Sequence, residues 1–349
     1  MQNEKRRIIY EIYFPAFCKD LKDLTNKTSY FKELGVTTLW LTPIFPSFTE
    51  HGYDTTDYFN IKKEYGTLED FDNFVNNAHE NGLEILLDLV LCHTSSEHKL
   101  FKDSIQGKNN CYFWSDKKID DTWKICNDNG QYYQAKWYYT MPQLNNQSEQ
   151  VRDLIKNIIK FWLVDHDVDG FRLDAIKYAS GDPIPFWRWF CDEVCKIKPN
   201  SYLIGECWDT YEVSNKYAKT GMKTFNFEES GWIKHSLNTG NPLVIKNDPK
   251  YDVNFLCNHD MSRISNSVGH DMNKLFKAVD MLFSLDGDVC IYYGDEINMG
   301  LNQDCHVEQG GYGDWKVRGK MEWDKVKHER KNPNSLFNYY KKKIKEYKK

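Results

Sequence analysis

Four aliphatic segments of this sequence each end in residues that can act as acids, bases or hydrogen-bond donors. The residues are Asp88 and His93 in LEILLDLVLCHTS, Arg172 and Asp174 in DVDGFRLDAIKY, Glu206 in YLIGECW, and His259 and Asp260 in VNFLCNHD. Positions 172 and 174 are two residues apart, so in a strand both side chains point to the same face. If the segments are parallel strands of one barrel, all of these side chains meet at its carboxyl-terminal mouth, where such folds carry their active sites.

The grouped carboxylates indicate cleavage of a glycosidic bond. An acid after a strand commonly caps a helix, and an arginine beside it commonly forms an ion pair, but like charges buried together at several strand ends occur mainly at active sites. A retaining glycosidase requires an ionised carboxylate nucleophile and a protonated carboxyl group about 5 Å apart. We expect Arg172 to hold Asp174 ionised by attraction, and we expect crowding by the other acids to raise the pKa of Glu206 until it carries a proton near neutral pH.

The elements that must position these residues alternate between strands and helices. Runs of β-branched and aliphatic residues predict eight strands: Ile8–Tyr13, Thr37–Leu41, Ile85–Leu89, Asp169–Leu173, Ser201–Ile204, Thr224–Phe227, Asn254–Leu256 and Cys290–Tyr293. Amphipathic stretches predict helices in LTNKTSYFKELG, which ends at Gly35, in TLEDFDNFVNNAHENG, in SEQVRDLIKNIIKFWLVD, which opens at Ser148, and in PFWRWFCDEVCKIK, NKLFKAVDMLFSL and PNSLFNYYKKKIKEY. This alternation predicts an α/β protein with a (β/α)8 TIM barrel.

The stretch 97–146 departs from the alternating pattern. It is irregular, is rich in Asn, Asp, Lys, Trp and Tyr, and falls between the third strand and its helix. We expect it to form a small excursion domain over the barrel mouth, with residues 1–96 and 147–349 forming the catalytic barrel. Since the sequence ends soon after the last predicted helix, no C-terminal β domain is expected, and a homo-oligomer is one way to cover the helix surface left without it.

The composition excludes several other classes of function. The formal net charge is −5 with both signs spread along the chain, which predicts no binding to nucleic acid or to an anionic membrane. The basic YKKKIKEYKK is interpreted as the solvated face of a final helix. We expect no signal peptide or membrane span, because the start MQNEKRRIIYEIYF lacks the apolar region and cleavage site of a signal peptide and no apolar run approaches the length of a span; the 10 cysteines show no zinc-binding or disulfide pattern. We therefore expect free thiols, no metal site and a cytoplasmic protein.

The motifs resemble, in type and order, those of the α-amylase family of glycoside hydrolases, and the resemblance covers nearly the whole chain. DLVLCH, GFRLDAIKY, GECW and FLCNHD are similar to the four principal family motifs. Further segments are similar to family segments around them: IIYEIYFPAF, LGVTTLWLTPIF, HGYDTTDYFNI, MPQLN and IYYGDEI. The resemblance implies a (β/α)8 barrel and a retaining mechanism on α-linked glucose.

The resemblance also implies roles for individual residues. It implies Asp174 as the nucleophile, Glu206 as the general acid/base and Asp260 as the residue that stabilises the transition state. The positions that match sugar-binding residues of the cleavage subsite are Tyr53, Asp54, His93, Arg172 and His259. Lys177 and Tyr178 match positions on the leaving-group side.

Departures from the family pattern concern metal binding and thiols. Cys92 replaces the Asn that commonly binds the structural calcium of the family, and a thiol is a poor ligand for that hard cation, so no cofactor is expected. Gln143 of MPQLN stands where Asp is more usual. Cys92, Cys207 and Cys257 each adjoin a motif, and we expect them to be buried packing residues. The alternative for these thiols is inactivation by oxidation or by a soft metal.

Three functions remain open at this point. The first is hydrolysis of α-glucosidic bonds in malto-oligosaccharides or α-glucans through a covalent glycosyl-enzyme intermediate. The second is transglycosylation with the same site, in which a sugar hydroxyl replaces water. The third, from a different class, is a catalytically silent barrel that binds carbohydrate or protein, although the three carboxylates and Arg172 are all present.

Overall fold

Eight parallel strands close into a barrel in the computed structural model, which describes residues 6–301 and 316–348. In chain order the strands are β1 (Ile8–Ile12), β2 (Thr38–Leu41), β3 (Glu84–Leu89), β4 (Trp114–Ser115), β5 (Trp123–Ile125), β6 (Tyr132–Gln134), β7 (Gly170–Leu173), β8 (Tyr202–Gly205), β9 (Lys223–Phe225), β10 (Asp252–Phe255) and β11 (Asp288–Tyr292). The barrel order is β1-β2-β3-β7-β8-β9-β10-β11, and β11 pairs back to β1. Each of the eight predicted strands is present, so the predicted (β/α)8 fold is confirmed.

Helices follow the barrel strands and pack around them. They are α1 (Phe14–Phe17), α2 (Leu21–Thr25), α3 (Thr28–Leu34), α4 (Leu68–Glu80), α5 (Lys99–Ile105), α6 (Glu149–Lys160), α7 (Pro183–Ile197), α8 (Tyr211–Ala218), α9 (Phe227–Thr239), α10 (Ile264–Ser267), α11 (Met272–Leu282), α12 (Trp323–Lys331) and α13 (Leu336–Tyr347). A π-helical segment, Phe161–Asp165, continues α6. The sequence pattern does not predict α8 or α9; the inward face of α9 includes Glu229, Ser230 and Ser236, so it lacks an apolar stripe.

The predicted helix ends are partly confirmed. Gly35 ends α3 in the left-handed conformation, and Thr67 opens α4 with a capping box that Asp70 completes. Ser148 precedes α6 as predicted, but it does not cap the helix with its side chain. Its hydroxyl donates instead to Oδ1 of Asn110 at 2.7 Å, which ties the start of α6 to the excursion. The first predicted helix is interrupted, because α2 ends before α3 begins.

Apolar side chains fill the inside of the barrel, so ligands have access only to its mouth. This inner cluster consists of Ile9, Trp40, Leu86, Tyr202, Ile204, Phe225, Phe227, Val253, Phe255 and Cys290. A larger cluster packs between the strands and the surrounding helices. The side chains at the carboxyl ends of the strands are therefore held by a core that is packed on both faces of the sheet.

The excursion after β3 has more regular structure than its sequence indicates. It contains α5 and a three-stranded antiparallel sheet in the order β4-β6-β5. Aromatic rings supply its small core: the ring centroid of Phe101 lies 5.6 Å from that of Trp114 and 5.0 Å from that of Tyr133. Backbone bridges at His93 and Gln143 join this unit to the segment that leaves β3. The excursion thus stands beside the barrel mouth.

The contact between β7 and β8 gives a test of the barrel packing. A Cβ atom at Gly170 of β7 would lie 1.8 Å from the backbone oxygen of Tyr202, and that oxygen cannot move without displacing β8. We predict that Gly170→Ala lowers the free energy of unfolding by about 3 kcal/mol, measured by urea denaturation, because the strand must shift to relieve the overlap. The matched control is Gly231→Ala in α9, where a Cβ would meet no atom within 4 Å and helix propensity favours Ala. Equal stabilities for the two variants would contradict this packing.

Candidate active site

The guanidinium group of Arg172 joins the carboxylates of three barrel strands. Arg172 lies on β7 and is only 1% exposed. Its Nη1 lies 2.7 Å from Oδ1 of Asp88 and 3.0 Å from Oδ1 of Asp174, and its Nη2 lies 2.9 Å from Oε2 of Glu206. The sequence analysis expected these side chains to meet, and the structure brings them together on one cation. Because two neighbouring nitrogens hold Asp174 and Glu206, their carboxylates are kept close, as a retaining site requires.

The backbone after β7 fixes the same two carboxylates. Arg172 and Asp174 point to the same side of the strand because they are two residues apart. Ala175 adopts a left-handed conformation with φ of 46°, which is uncommon for a residue with a side chain. In this conformation its N–H donates to Oε2 of Glu206 at 3.0 Å. A strained residue next to Asp174 therefore gives Glu206 a fixed position.

Burial governs the protonation of Asp174 and Glu206. It raises the pKa of Asp174 to about 6, although attraction by Arg172 opposes the shift. Attraction by Arg172 therefore acts in the expected direction and leaves Asp174 ionised at neutral pH, but the sequence analysis did not anticipate the rise caused by burial. Burial also raises the pKa of Glu206, and repulsion from Asp174 and Asp260 adds to it, so crowding acts in the expected direction but is secondary to desolvation.

Asp260 follows β10 and lies close to positively charged groups. Its Oδ1 accepts a hydrogen bond from Nη2 of Arg318 at 2.6 Å, and its Oδ2 lies 3.3 Å from Nε2 of His259. Burial alone would raise the pKa of Asp260, but His259, Arg318 and Arg172 together lower it. The pKa values of the three carboxylates therefore differ: those of Asp174 and Glu206 are raised and that of Asp260 is lowered, so Asp260 is the last of the three to take up a proton as the pH falls.

An aromatic wall lines one side of the site. The ring of Tyr53 is stacked on that of His259 with an interplanar angle of 9° and a centroid distance of 5.6 Å. The hydroxyl of Tyr53 donates to Oδ2 of Asp88 at 3.0 Å, and Nε1 of Trp40 donates to the same oxygen at 3.2 Å. Asp88 therefore accepts from Arg172, Tyr53 and Trp40 and acts as an anchor for this wall. A flat apolar ring edged by polar groups suits the face of a sugar.

His93 and Asp54 lie next to the backbone of Tyr53. Nε2 of His93 donates to the backbone oxygen of Tyr53 at 3.0 Å, and burial lowers the pKa of His93 to about 4, so the ring is neutral at pH 7. Its buried Nδ1 is then an acceptor, and it has no partner among the residues that the structure describes. Asp54 is buried beside it and accepts hydrogen bonds from the backbone N–H groups of Phe48 and Thr49 at 3.3 Å, which fixes the loop before Tyr53.

Lys177 and Tyr178 lie on the outer edge of the site. Nζ of Lys177 donates to the backbone oxygen of Trp208 at 2.6 Å and to Oδ2 of Asp209 at 2.9 Å, so the lysine links the segments after β7 and β8. The side chain of Tyr178 is 40% exposed, and its ring makes an edge contact of 5.1 Å with Trp137 from the excursion. An exposed aromatic pair thus borders the mouth.

Three residues of the site do not stand out in the sequence analysis: Glu11, Trp40 and Arg318. Glu11 carries a detectable signal, because it is an acid inside the otherwise apolar strand IIYEI. Trp40 resembles an ordinary core residue of the strand TLWL, and only its indole N–H, which needs a hydrogen-bond acceptor when buried, indicates a further role. Arg318 is 58 residues from Asp260 in the sequence, and no pattern around it predicts their contact.

The residues at the family's calcium position do not fit that cation. Cys92 is buried, and its thiol lies 3.4 Å from the backbone oxygen of Ala175, to which it donates. Asn146, which contacts the neighbouring Leu91, is also hydrogen-bonded within the protein: its Nδ2 donates to the backbone oxygen of Leu91 at 2.8 Å, and its Oδ1 accepts from the N–H of Ser180 at 2.8 Å. A thiol and a satisfied amide do not make the oxygen-rich shell that calcium requires.

The thiols next to the motifs are packed into the structure. Cys92, Cys207 and Cys257 are buried, and burial raises the pKa of each thiol above its usual value. A protonated, buried thiol reacts slowly with oxidants, which supports the packing interpretation over inactivation by oxidation. Cys305, which the sequence analysis counts among the ten cysteines, lies outside the described residues.

A closed (β/α)8 barrel with an arginine and several carboxylates at one mouth defines a barrel glycosidase. The family model described as "Alpha amylase, catalytic domain" matches residues 15–349. Alpha-amylase 3 of Dictyoglomus thermophilum is 36% identical, with 97% of this chain and 76% of the relative covered. The 4-alpha-glucanotransferase of Thermotoga maritima is 30% identical, with 86% and 74% covered. The crystal structure of alpha-amylase from H. orenii has a TM-score of 0.84 at 31% identity and covers 98% of this chain and 81% of its own.

The chain therefore belongs to the alpha-amylase family, and it is a glycoside hydrolase of that family. The expected membership of the α-amylase family is confirmed, and the family acts on α-linked glucans. The alternative of a catalytically silent binding barrel is not supported. In the described part of the chain, no helix combines the length and apolar character needed to cross a membrane.

The raised pKa of Asp174 gives a test by stability. A carboxyl group whose folded pKa is about 6, against an unfolded value near 4, destabilises the fold increasingly as the pH rises from about 4 to 6. We predict that Asp174→Asn, which removes the buried charge, raises the free energy of unfolding by roughly 2 to 3 kcal/mol at pH 7.5, and that this gain disappears near pH 4.

The control for this measurement is Asp153→Asn on α6, which removes a carboxylate whose side chain is 69% exposed. Its stability change should be small and should depend little on pH. The raised pKa would be contradicted if Asp174→Asn did not raise the free energy of unfolding at pH 7.5, or if its stabilising effect grew as the pH is lowered.

Proposed function

We propose that this protein cleaves α-glucosidic bonds in malto-oligosaccharides and related α-glucans with retention of anomeric configuration. The observation that carries the proposal is the pair of carboxylates, Asp174 and Glu206, held by neighbouring nitrogens of Arg172. The raised pKa of Glu206 suits a general acid, and Asp174, ionised above about pH 6, suits a nucleophile.

In the first step, a carboxylate oxygen of Asp174 attacks the anomeric carbon while Glu206 transfers its proton to the departing glycosidic oxygen. The products are a covalent glycosyl ester on Asp174 and a shortened glucan with a new hydroxyl group. Arg172 stays bound to both carboxylates, so it offsets the negative charge that Glu206 acquires as it gives up its proton.

In the second step, Glu206 takes a proton from water as that water attacks the anomeric carbon, and the ester bond to Asp174 breaks. The two inversions give net retention. Asp260, kept ionised by His259 and Arg318, stabilises the positive charge that develops on the sugar ring in both steps.

The sugar in the cleavage subsite is bound from two sides in this proposal. The ring of Tyr53 offers an apolar surface for one sugar face. The unpartnered Nδ1 of His93 accepts a hydrogen bond from a sugar hydroxyl. Asp54 contributes by fixing the loop that carries Tyr53.

Transfer to a second sugar is the other candidate, and the exposed pair Trp137 and Tyr178 favours it. Their rings lie beside the segment that carries Lys177, which the family resemblance assigns to the leaving-group side. Aromatic surfaces there would retain a sugar whose hydroxyl competes with water for the glycosyl intermediate. The similarity to a protein named 4-alpha-glucanotransferase agrees with this possibility.

Two further features belong to the proposal. We infer that residues 97–146 act as an excursion domain that shapes the mouth, since they contain their own sheet and aromatic core. We also infer a reducing, cytoplasmic location, which the free cysteines of the described residues support.

The experiment is an NMR time course on maltoheptaose, which reports both the released anomer and the product lengths. The proposal predicts early release of the α-anomer by the wild type and by the matched control Asp153→Asn. Asp174→Asn should lose at least about 1,000-fold in rate, since it lacks the nucleophile. Products longer than maltoheptaose would identify transfer. Initial release of the β-anomer, or no turnover by a folded wild type, would contradict the proposed function.

A further inference from the structure

Glu11 is a buried acid in the middle of β1 that the proposed mechanism does not use. It is 0% exposed. Its Oε1 lies 2.6 Å from Nδ1 of His259 and accepts the backbone N–H of the same residue at 3.2 Å. Its Oε2 is buried and has no hydrogen-bond partner among the described residues. A carboxylate in such surroundings is costly to bury, so its contact with His259 calls for a functional explanation.

The other nitrogen of His259 is surrounded by acceptors. Its Nε2 lies 2.6 Å from the hydroxyl oxygen of Tyr53 and 3.3 Å from Oδ2 of Asp260. Tyr53 has a single hydroxyl proton, and that proton is donated to Asp88 at 3.0 Å. The short contact with His259 is then satisfied only if Nε2 carries a proton and donates it. Nδ1 needs a proton as well, because it faces Oε1 of Glu11.

We propose that Glu11 is a positioning residue that keeps His259 doubly protonated and oriented, so that Nε2–H is held against the hydroxyl of Tyr53 and its positive charge lies beside Asp260. The inference deepens the proposed function and rests on it for the roles of Tyr53 and Asp260 at the sugar. Glu11 touches neither substrate nor the reacting carboxylates, and it acts only through the imidazolium ring. Carboxylate–histidine pairs commonly fix the orientation and charge of a histidine in this way.

The charges around His259 agree with this assignment. Burial opposes the imidazolium, but Asp260 and Glu11 together raise the pKa of His259. The ionisable groups that face the ring are Glu11 from β1, Asp88 from β3, Glu206 after β8, Asp260 after β10, Tyr53, and the opposing cations Arg172 and Arg318. The acidic groups in this set outnumber the two arginines.

The test uses Glu11→Gln, which keeps the shape and one acceptor oxygen but removes the charge. The matched control is Glu296→Gln, because Glu296 is also fully buried, binds the hydroxyl of Tyr10 at 2.7 Å and has one unpartnered oxygen, but it has no contact with His259. The first readout is the ring nitrogen signal of His259 in protein labelled with 15N-histidine, assigned by its loss in His259→Gln.

We expect His259 to be doubly protonated at pH 7 in the wild type and in Glu296→Gln, and largely neutral in Glu11→Gln. The second readout is the pH dependence of kcat/KM on maltoheptaose. Loss of the Glu11 charge lowers the pKa of His259, and the inference requires the doubly protonated ring for activity, so the alkaline limb should move to lower pH by about one unit in Glu11→Gln. In Glu11→Asp, which keeps the charge, the alkaline limb should lie close to its position in the wild type.

A neutral His259 in the wild type would overturn the inference, even if Glu11→Gln failed to fold. Equal shifts of the alkaline limb in Glu11→Gln and Glu296→Gln would also overturn it, since any buried charge would then have the same effect. The nitrogen signals need no turnover. Failure of the proposed function, seen as inactivity on maltoheptaose, is therefore distinguishable from failure of the role assigned to Glu11.

Discussion

The rest of the site depends on one buried ionic interaction, between the guanidinium of Arg172 and the carboxylates of Asp88, Asp174 and Glu206. A cation with 1% exposure is tolerable only when charged partners and hydrogen bonds surround it. The partners come from β3, β7 and the end of β8, so the closed barrel is what assembles them. The integrity of the mouth therefore depends on the strand order of the fold.

Burial gives these groups their chemistry and also makes them costly. The same desolvation that raises the pKa of Asp174 to about 6 and raises that of Glu206 destabilises the fold at neutral pH, and Arg172 offsets only part of this cost. Asp260 is the counterpart, since His259, Arg318 and Arg172 lower its pKa. One mouth therefore holds an acid whose pKa is raised, Glu206, and a carboxylate whose pKa is lowered, Asp260. This separation is what retaining glycoside cleavage requires.

The sequence predicts the strands and the residues at their ends well, because a strand's period of two fixes which side chains share a face. That rule correctly predicts that Arg172 and Asp174 lie on the same face of β7. It could not predict the pKa of Asp174, since desolvation depends on what every neighbouring strand contributes. Arg318 escaped prediction because its contact with Asp260 spans 58 residues and follows no local pattern. Glu11 is recognisable in the sequence as an acid in an apolar strand, but its partner His259 is 248 residues away in the chain.

The most direct test of the account is to trap the glycosyl-enzyme intermediate. A fluorinated α-glucosyl fluoride, whose ring fluorine slows hydrolysis of the intermediate, should accumulate as a covalent adduct on the protein. Peptide mapping by mass spectrometry should place the sugar on Asp174, and Asp174→Asn should carry no label. An adduct on Glu206 or Asp260, or steady consumption of the reagent by the wild type without any adduct, would contradict the assignment of Asp174 as the nucleophile held by Arg172.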